Sequence, residues 1–472
     1  MASALSLFFV YEQKMKDTIV ALATPLGRSG IGTVRLSGPD AERIAGQFSD
    51  APDLEPRRAT LVKLSDSETG EAIDEAVVTI YRGPNSFTGE DVVEISCHGS
   101  PVVLRQVIDT SLRLGARMAD AGEFSLRALA NGKMDLAEAE AVRDLIDSQT
   151  ATAARQAVRQ MRGEISQTLA PVKDELLDVI VVLESALEFV EDDLPEMQTA
   201  SIREKLGRVA SELDRFAATF KAGHLIREGL RVAIIGHPNV GKSSLFNALL
   251  GSERAIVTDI AGTTRDQLHE RFTINDIPIS LIDTAGLRET TDVVESIGVE
   301  RSRATMADAD LVILMLDASV QTSDEDRQLI ESIKGLNYIV ALNKIDKVPS
   351  SDIDRMVAAE NTSLAYLRDR IVPISAKTGE GLEDLKAAII EPFSPGDVDS
   401  TGFLITDARH HDLLLRARDE VLGSVRLIEE RASEEITLIG LHNALRYLGE
   451  ITGETTTEDM LTRIFSTFCI GK

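Results

Sequence analysis

The chain has 472 residues, room for about three domains, and its 43% hydrophobic content suffices for real cores. A formal net charge of −27, no tryptophan and 4% aromatic residues exclude a protein that grips nucleic acid tightly by itself, because phosphates are repelled and bases find few rings to stack on. Two cysteines, Cys97 and Cys469, exclude a disulfide framework and a cysteine-rich metal site and fit a reducing cytoplasm, and the adjacent His410 and His411 have no partners at ligand spacing.

The opening, Met1 to Val10, is mildly apolar but lacks a basic start and runs straight into charges. It reads as neither a signal peptide nor a spanning helix, so residues 1–16 are taken as an extension, with Met15 an alternative start. From 17 to 122 short apolar strands, such as Thr18 to Leu22, Gly32 to Leu36 and Asp91 to Ile95, are broken by Gly and Pro, which predicts a compact α/β domain. From 123 to 225 the strand signal vanishes. Leu176, Ile180, Leu183, Leu187 and Val190 recur at helical spacing with acids between them, and the stripe Arg155, Arg159 and Arg162 reads as a solvated helix face. Residues 226–395 alternate strand and helix, and 396–472 return to helix. The predicted architecture is therefore a multidomain α+β and α/β protein, its α/β nucleotide domain inserted into a helical domain made of two separated segments. The flanks, Lys221 to His224 and Pro392 to Gly396, suit hinges.

The inserted domain carries the chemistry. Leu230 to Gly236 reads as a strand and Lys242 to Leu250 as the helix after it, and between them Gly236-His-Pro-Asn-Val-Gly-Lys-Ser243 forms a phosphate-binding loop. The backbone of Asn239, Val240 and Gly241 can close around phosphates, Lys242 can reach the β- and γ-phosphates, and Ser243, followed by Ser244, can hold Mg²⁺. Asp283-Thr284-Ala285-Gly286 closes the apolar run Ile279 to Ile282, where a carboxylate reaches the metal through water and a glycine meets the γ-phosphate. Leu311 to Leu316 and Tyr338 to Leu342 predict buried parallel strands, and the second leads into Asn343-Lys344-Ile-Asp346. Asp346 can accept from the guanine ring N–H and amino group, which adenine cannot offer, so the pattern predicts GTP as substrate. A strand around Arg370 to Ile374 leads to Ser375-Ala376-Lys377, whose backbone completes the pocket.

Leu287 stands where many GTPases place a water-orienting glutamine, so another group must supply that contact. Glu289, Asp292, Glu295 and Glu300 are all candidates. Asn239 suits a turn, and its side-chain carbonyl can also bind a monovalent cation beside the phosphates.

Four further segments extend the reading: Asp17 to Gly32, Pro84 to Asp91, Gly122-Glu-Phe-Ser with Gly132-Lys-Met-Asp-Leu136, and the terminal Phe468-Cys-Ile-Gly-Lys472. With the inserted domain they resemble the MnmE or TrmE family of tRNA modification GTPases over nearly everything from Met15 onward. One departure is Leu26-Gly27-Arg28-Ser29, where the family commonly has Pro-Gly-Arg-Gly. The resemblance implies an N-terminal α/β folate-binding and dimerisation domain, a helical domain and an inserted Ras-like P-loop GTPase domain. It implies a homodimer, an MnmG-type flavoprotein partner carrying FAD, tRNA engaged mainly through that partner, and a one-carbon unit from a 5-formyl-type tetrahydrofolate added at carbon 5 of the wobble uridine. By resemblance K⁺ falls on Asn239, Thr258, Ile260 and Thr263, and Mg²⁺ on Ser243 and Thr264. The run Thr258, Asp259, Ile260, Ala261, Gly262, Thr263 and Thr264 closes over GTP, Glu295 orients water, and Cys469 is the functional cysteine. Arg35, Glu90, Lys133 and Lys472 surround folate. A GTPase molecular switch such as a ribosome-assembly factor is the alternative, and −27 speaks against its basic RNA-binding appendage.

Overall fold

The computed structural model describes residues 17–51, 53–188, 196–252, 270–282, 309–358, 370–393, 402–455 and 458–471. They divide into two compact units, one from residues up to 147, 156–214 and 412 onward, the other from 148–155 and 215–411.

The first unit opens with β1 (Ile19–Leu22), β2 (Ser29–Ser37), α1 (Ala41–Gln47), β3 (Thr60–Ser65), β4 (Ala72–Tyr81), β5 (Val92–Gly99), α2 (Pro101–Arg113) and β6 (Arg117–Met118). The strands form one sheet in the order β3-β4-β5-β2-β1-β6, antiparallel except for the β1–β6 pair. Alternation decides which face each residue covers. Val20, Val34, Leu36, Val62, Val78 and Ile95 pack with Ile44 of α1 and Val107 of α2. On the other face Ile19 and Ala21 meet Ala119 and Phe124, so β1 is covered on both sides and reads as a continuous apolar run. At the sheet edge Leu61 is exposed where its neighbour Val62 is buried.

Helices follow: α3 (Glu123–Ala130), α4 (Leu136–Asp147), α5 (Ala151–Met161), α6 (Glu164–Glu188) and α7 (Glu196–Ala218). After the nucleotide domain come α13 (Ala408–Glu429), α14 (Glu434–Thr452) and α15 (Glu458–Phe465). Leu176, Ile180 and Leu183 are buried on α6, as are Leu441, Leu448 and Ile451 on α14, and the two helices pack together. Lys173 pairs with Glu454 at 2.6 Å and Glu184 with His442 at 3.1 Å, so α6 and α14 run antiparallel. The helical expectation for this region therefore holds, although Val190 lies outside the described residues. Of the basic stripe, Arg159 pairs with Glu164 and Arg155 donates to Thr152.

The second unit contains α8 (Phe220–Glu228), β7 (Leu230–Ile235), α9 (Lys242–Ser252), β8 (Glu270–Ile274), β9 (Ile277–Ile282), β10 (Leu311–Asp317), α10 (Asp324–Ser332), β11 (Tyr338–Asn343), α11 (Ser350–Ala358), β12 (Ile371–Pro373) and α12 (Leu382–Ile390). Its sheet has the order β12-β11-β10-β7-β9-β8, parallel except for the β8–β9 hairpin. Leu245, Phe246 and Leu249 of α9 cover one face with Leu385 and Ile389 of α12, while Ile330 of α10 belongs to the cluster on the other. Burial on both faces is why β10 reads Leu-Val-Ile-Leu-Met-Leu without alternation. The chain leaves β7 toward β9 on one side and β10 on the other, and a crevice at such a switch point is where doubly wound sheets bind ligands.

Candidate functional site

The phosphate loop lies at the carboxyl end of β7, and three of its residues have positive φ. Gly236 has φ 148°, and a Cβ there would sit 2.6 Å from the Met315 carbonyl oxygen, so only glycine fits against β10. Gly241 has φ 106°, and its Cβ would come within 2.3 Å of Asn343 Nδ2. Asn239 has φ 63°, a left-handed conformation that asparagine tolerates better than most residues, which accounts for this residue type by backbone alone. Lys242 opens α9 and folds back, its Nζ donating to the carbonyls of Gly236 at 2.8 Å and His237 at 2.9 Å. Burial holds its pKa below the ordinary lysine value of 10.5, so the ammonium is poorly solvated and poised for an anion. Ser243 and Ser244 sit in the first turn of α9, where helix N–H groups favour phosphate.

The guanine side is built by the loops after β11 and β12. Asn343 is 3% exposed; its Nδ2 donates to the Val240 carbonyl at 2.8 Å and its Oδ1 accepts from Ala376 N at 2.9 Å, tying the phosphate loop to the Ser-Ala-Lys loop. Lys344 Nζ donates to the Asn239 carbonyl at 2.8 Å and to Asp317 Oδ2 at 2.5 Å. Burial pushes the Asp317 carboxyl up, but hydrogen bonds from Lys344 and Ser319 outweigh it and hold the group below the usual 3.8. Asp346 is exposed and accepts from Ser375 Oγ at 2.8 Å, which orients the carboxylate, while Lys377, two residues after Ser375, is exposed. Thus Asn239, Val240, Gly241, Lys242, Asn343, Lys344, Asp346, Ser375 and Ala376 converge. Sequence reasoning missed Asp317, whose only signal was an acid ending an apolar strand. Thr258, Asp259, Ile260, Ala261, Gly262, Thr263, Thr264, Asp283, Thr284, Ala285, Gly286 and Glu295 lie outside the described residues.

A second constellation lies in the first unit. Residues 468–471 dock on the N-terminal domain: Ala121 and Ile470 form an antiparallel bridge, Gly122 N donates to the Cys469 carbonyl at 3.4 Å, and Phe468 packs with Leu136 and Phe465. Gly471 has φ 100°, and its Cβ would stand 2.3 Å from the Leu22 carbonyl oxygen, so the tail passes too close to β1 for a side chain. Arg35 donates from Nε and Nη2 to Glu94 Oε1 at 3.0 and 2.7 Å, and from Nη1 to the Gly471 carbonyl at 3.3 Å. Its guanidinium lies 5.6 Å from the Phe87 ring centroid and 5.8 Å from that of Phe124.

Arg35 and Ser37 share one face of β2, and Ser37 Oγ donates to Glu90 Oε2 at 2.7 Å. Glu90 also pairs at 3.1 Å with Arg127, which is 2% exposed and donates as well to Asp17 and Glu123. Burial pushes the Asp17 and Glu123 carboxyls up, yet Arg117 and Arg127 hold both below the usual range. Lys133 Nζ donates to the Pro84 carbonyl at 2.9 Å, and its stem lies against Gly89, next to Glu90. Arg35, Glu90, Lys133 and the tail are thus neighbours within the first unit; Lys472 lies outside the described residues. Glu94 and Arg127 were not singled out from sequence, because an acid and an arginine on half-polar elements carry no local signal. Cys469 is exposed, whereas Cys97 is buried, its thiol pushed up to about 12 by burial and then by Asp74. Among the described residues no helix is long and apolar enough to cross a membrane.

A phosphate loop at a parallel-sheet switch point, joined through Asn343 to an Asp346-bearing base pocket, defines a P-loop GTPase that hydrolyses GTP. The MnmE helical domain model matches residues 136–469 and the model for the GTP-binding protein TrmE N-terminus matches residues 18–133. The tRNA modification GTPase MnmE of Koribacter versatilis (strain Ellin345) is 44% identical over 464 residues, 97% of this chain and all of the relative. That of Aquifex aeolicus (strain VF5) is 43% identical over 461 residues, with the same coverage. Among solved structures the G domain of the T. maritima FeoB iron transporter is 32% identical, covering 34% of this chain and 97% of that chain, with a TM-score of 0.25. The chain belongs to the MnmE family of tRNA modification GTPases.

Proposed function

We propose that the protein is a K⁺-dependent GTPase that works with an MnmG-type flavoprotein to add an aminomethyl or carboxymethylaminomethyl group at carbon 5 of the wobble uridine of certain tRNAs. The observation that carries this reading is the union, on one chain, of the guanine-nucleotide site with a C-terminal tail seated beside Arg35 and the Glu90–Arg127 pair. A 5-formyl-type tetrahydrofolate supplies the one-carbon unit when bound. Arg35 and Lys133, with Lys472, offer cations to its carboxylate-bearing tail, and Glu90 offers a fixed acceptor to pterin N–H groups, its charge shared with Arg127. Cys469, exposed on the docked tail, has the access that a role in transfer requires.

In the nucleotide domain Lys242, Ser243 and Thr264 serve GTP and Mg²⁺, and Glu295 orients the attacking water. A K⁺ ion held by Asn239 with Thr258, Ile260 and Thr263 supplies positive charge beside the phosphates when bound. The carbonyl-bearing Asn239 side chain fits that hard cation. The reading includes a homodimer through residues 17–122, nucleotide domains (226–395) that meet across it, a helical domain from 123–225 and 396–472, and a cytoplasmic setting. The net charge of −27 favours tRNA held mainly by the flavoprotein.

The test is nucleoside mass spectrometry of tRNA from cells lacking the gene, complemented with wild type or Lys242→Ala. Loss of the modified wobble uridines, restored only by wild type, supports the reading; unchanged uridines refute it. Hydrolysis by Asn239→Ala and Asn239→Gly, the second keeping the left-handed backbone free of strain, should lose K⁺ stimulation while GTP still binds.

A further inference from the structure

β8 and β9 form a two-residue hairpin closed by the Ile274–Ile277 pair, with Asn275 at φ 49° and Asp276 at φ 64°. Positive φ at both central positions marks a type I′ turn, in which the second position favours glycine. Here it is aspartate, a residue that carries a steric cost in this conformation. Its carboxylate has a use. Asp276 Oδ2 accepts from the backbone N–H of Thr152 at 2.9 Å and also from the Thr152 hydroxyl.

Thr152 is the second residue of α5. The N–H groups of a first helical turn lack partners within the helix, and a carboxylate there is also favoured by the helix dipole. Thr150 Oγ1 caps Ala153 N at 3.1 Å, so Asp276 supplies from another element the acceptor that Thr152 needs. Ala153 is buried in a cluster with Ala222, Ile226 and Leu404, which holds the same turn from its apolar side. Arg155 adds a bond to Thr152 Oγ1 at 2.6 Å.

The hairpin lies between the two sequence segments expected to meet the nucleotide, since β8 begins six residues after Thr264 and β9 ends one residue before Asp283. Phe272, Ile274 and Ile279 are buried, so the hairpin is a packed, stiff ribbon. GTPase loops ordered by the γ-phosphate are released on hydrolysis, and a stiff element between them carries their displacement to its tip. We propose that Asp276 is the coupling residue that ties this hairpin to the N-terminus of α5, so that the nucleotide state is passed into that helix.

The proposal rests on the GTPase reading, and hydrogen exchange on the full-length protein separates the two. Exchange of the segment 148–161 is compared with GDP and with a non-hydrolysable GTP analogue, alongside fluorescent-nucleotide binding on the same samples. Wild type is expected to show a difference of at least about threefold between the two states, and Asp276→Gly to lose it while binding nucleotide normally. Glycine suits the turn, so this variant keeps the hairpin, and Asp276→Asn, which keeps one acceptor oxygen, should retain part of the difference. A full difference in Asp276→Gly, or none in wild type that binds both nucleotides, overturns the proposal. Absence of nucleotide binding in wild type overturns the GTPase reading and the coupling with it.

Discussion

Replacing Asn343 by alanine removes a buried side chain that ties the phosphate loop to the Ser375-Ala-Lys loop. The amide is 3% exposed and makes two bonds, to the Val240 carbonyl at 2.8 Å and from Ala376 N at 2.9 Å. Each backbone group left buried without its partner costs about 1–3 kcal/mol, so the loss is roughly 2–6 kcal/mol, toward the lower end where water enters the space. Both loops line the proposed nucleotide site, and about 1.4 kcal/mol corresponds to tenfold, so GTP and GDP affinity should fall by at least about tenfold. Gly241→Ala strains the same bridge from the other side, because its Cβ would stand 2.3 Å from Asn343 Nδ2. The double variant should therefore be less than additive, by about 0.5–3 kcal/mol, because removing the amide relieves the clash. The assay is titration of a fluorescent guanine nucleotide against all four proteins of the cycle. Affinity within about twofold of wild type for Asn343→Ala, or strict additivity, would refute the bridge as the organiser of the site.

Gly471→Ala should lift the tail from β1, since its Cβ meets the Leu22 carbonyl at 2.3 Å; calorimetry should show weaker 5-formyltetrahydrofolate binding with GTP hydrolysis unchanged. A thiol reagent at pH 8 should modify Cys469 alone in the native protein and both cysteines after unfolding, because the Cys97 thiol is pushed up to about 12 and stays protonated; two fast thiols would contradict the burial of Cys97. Burial pushes the Asp407 carboxyl up, but the electrostatic influence of His410 and the 2.6 Å ion pair with Arg227 hold it well below 3.8. Its native pKa being depressed, its contribution is complete above pH 3.8 and lost as pH falls through the native value. Asp407→Asn should thus cost about 1.5–3 kcal/mol at pH 7, as for a part-buried hydrogen bond between charged groups, with the melting-temperature gap to wild type closing in acid.

The nucleotide domain was legible because its determinants are local. Gly236, Gly241 and Lys242 lie within seven residues, the backbone conformations of the two glycines demand glycine, and strands buried on both faces announce themselves as unbroken apolar runs. The predicted strand Leu311 to Leu316 and helix Lys242 to Leu250 match β10 and α9 nearly to the residue for that reason. Asn239 was ambiguous in the sequence, and its left-handed backbone shows why: turn geometry alone selects asparagine there. The second site was legible only through resemblance. Arg35 meets the Gly471 carbonyl across 436 residues of sequence, and Arg127 reaches Asp17 across 110, pairings set by sheet register and by where the terminal helices dock. Asp276 is similar, an acid in a turn whose partner lies 124 residues away. Residue type and spacing by themselves determined the nucleotide chemistry, since a phosphate loop is short-range geometry; only the tertiary structure decided which charges meet, since a surface charge and a buried, paired one look alike until packing brings distant segments together.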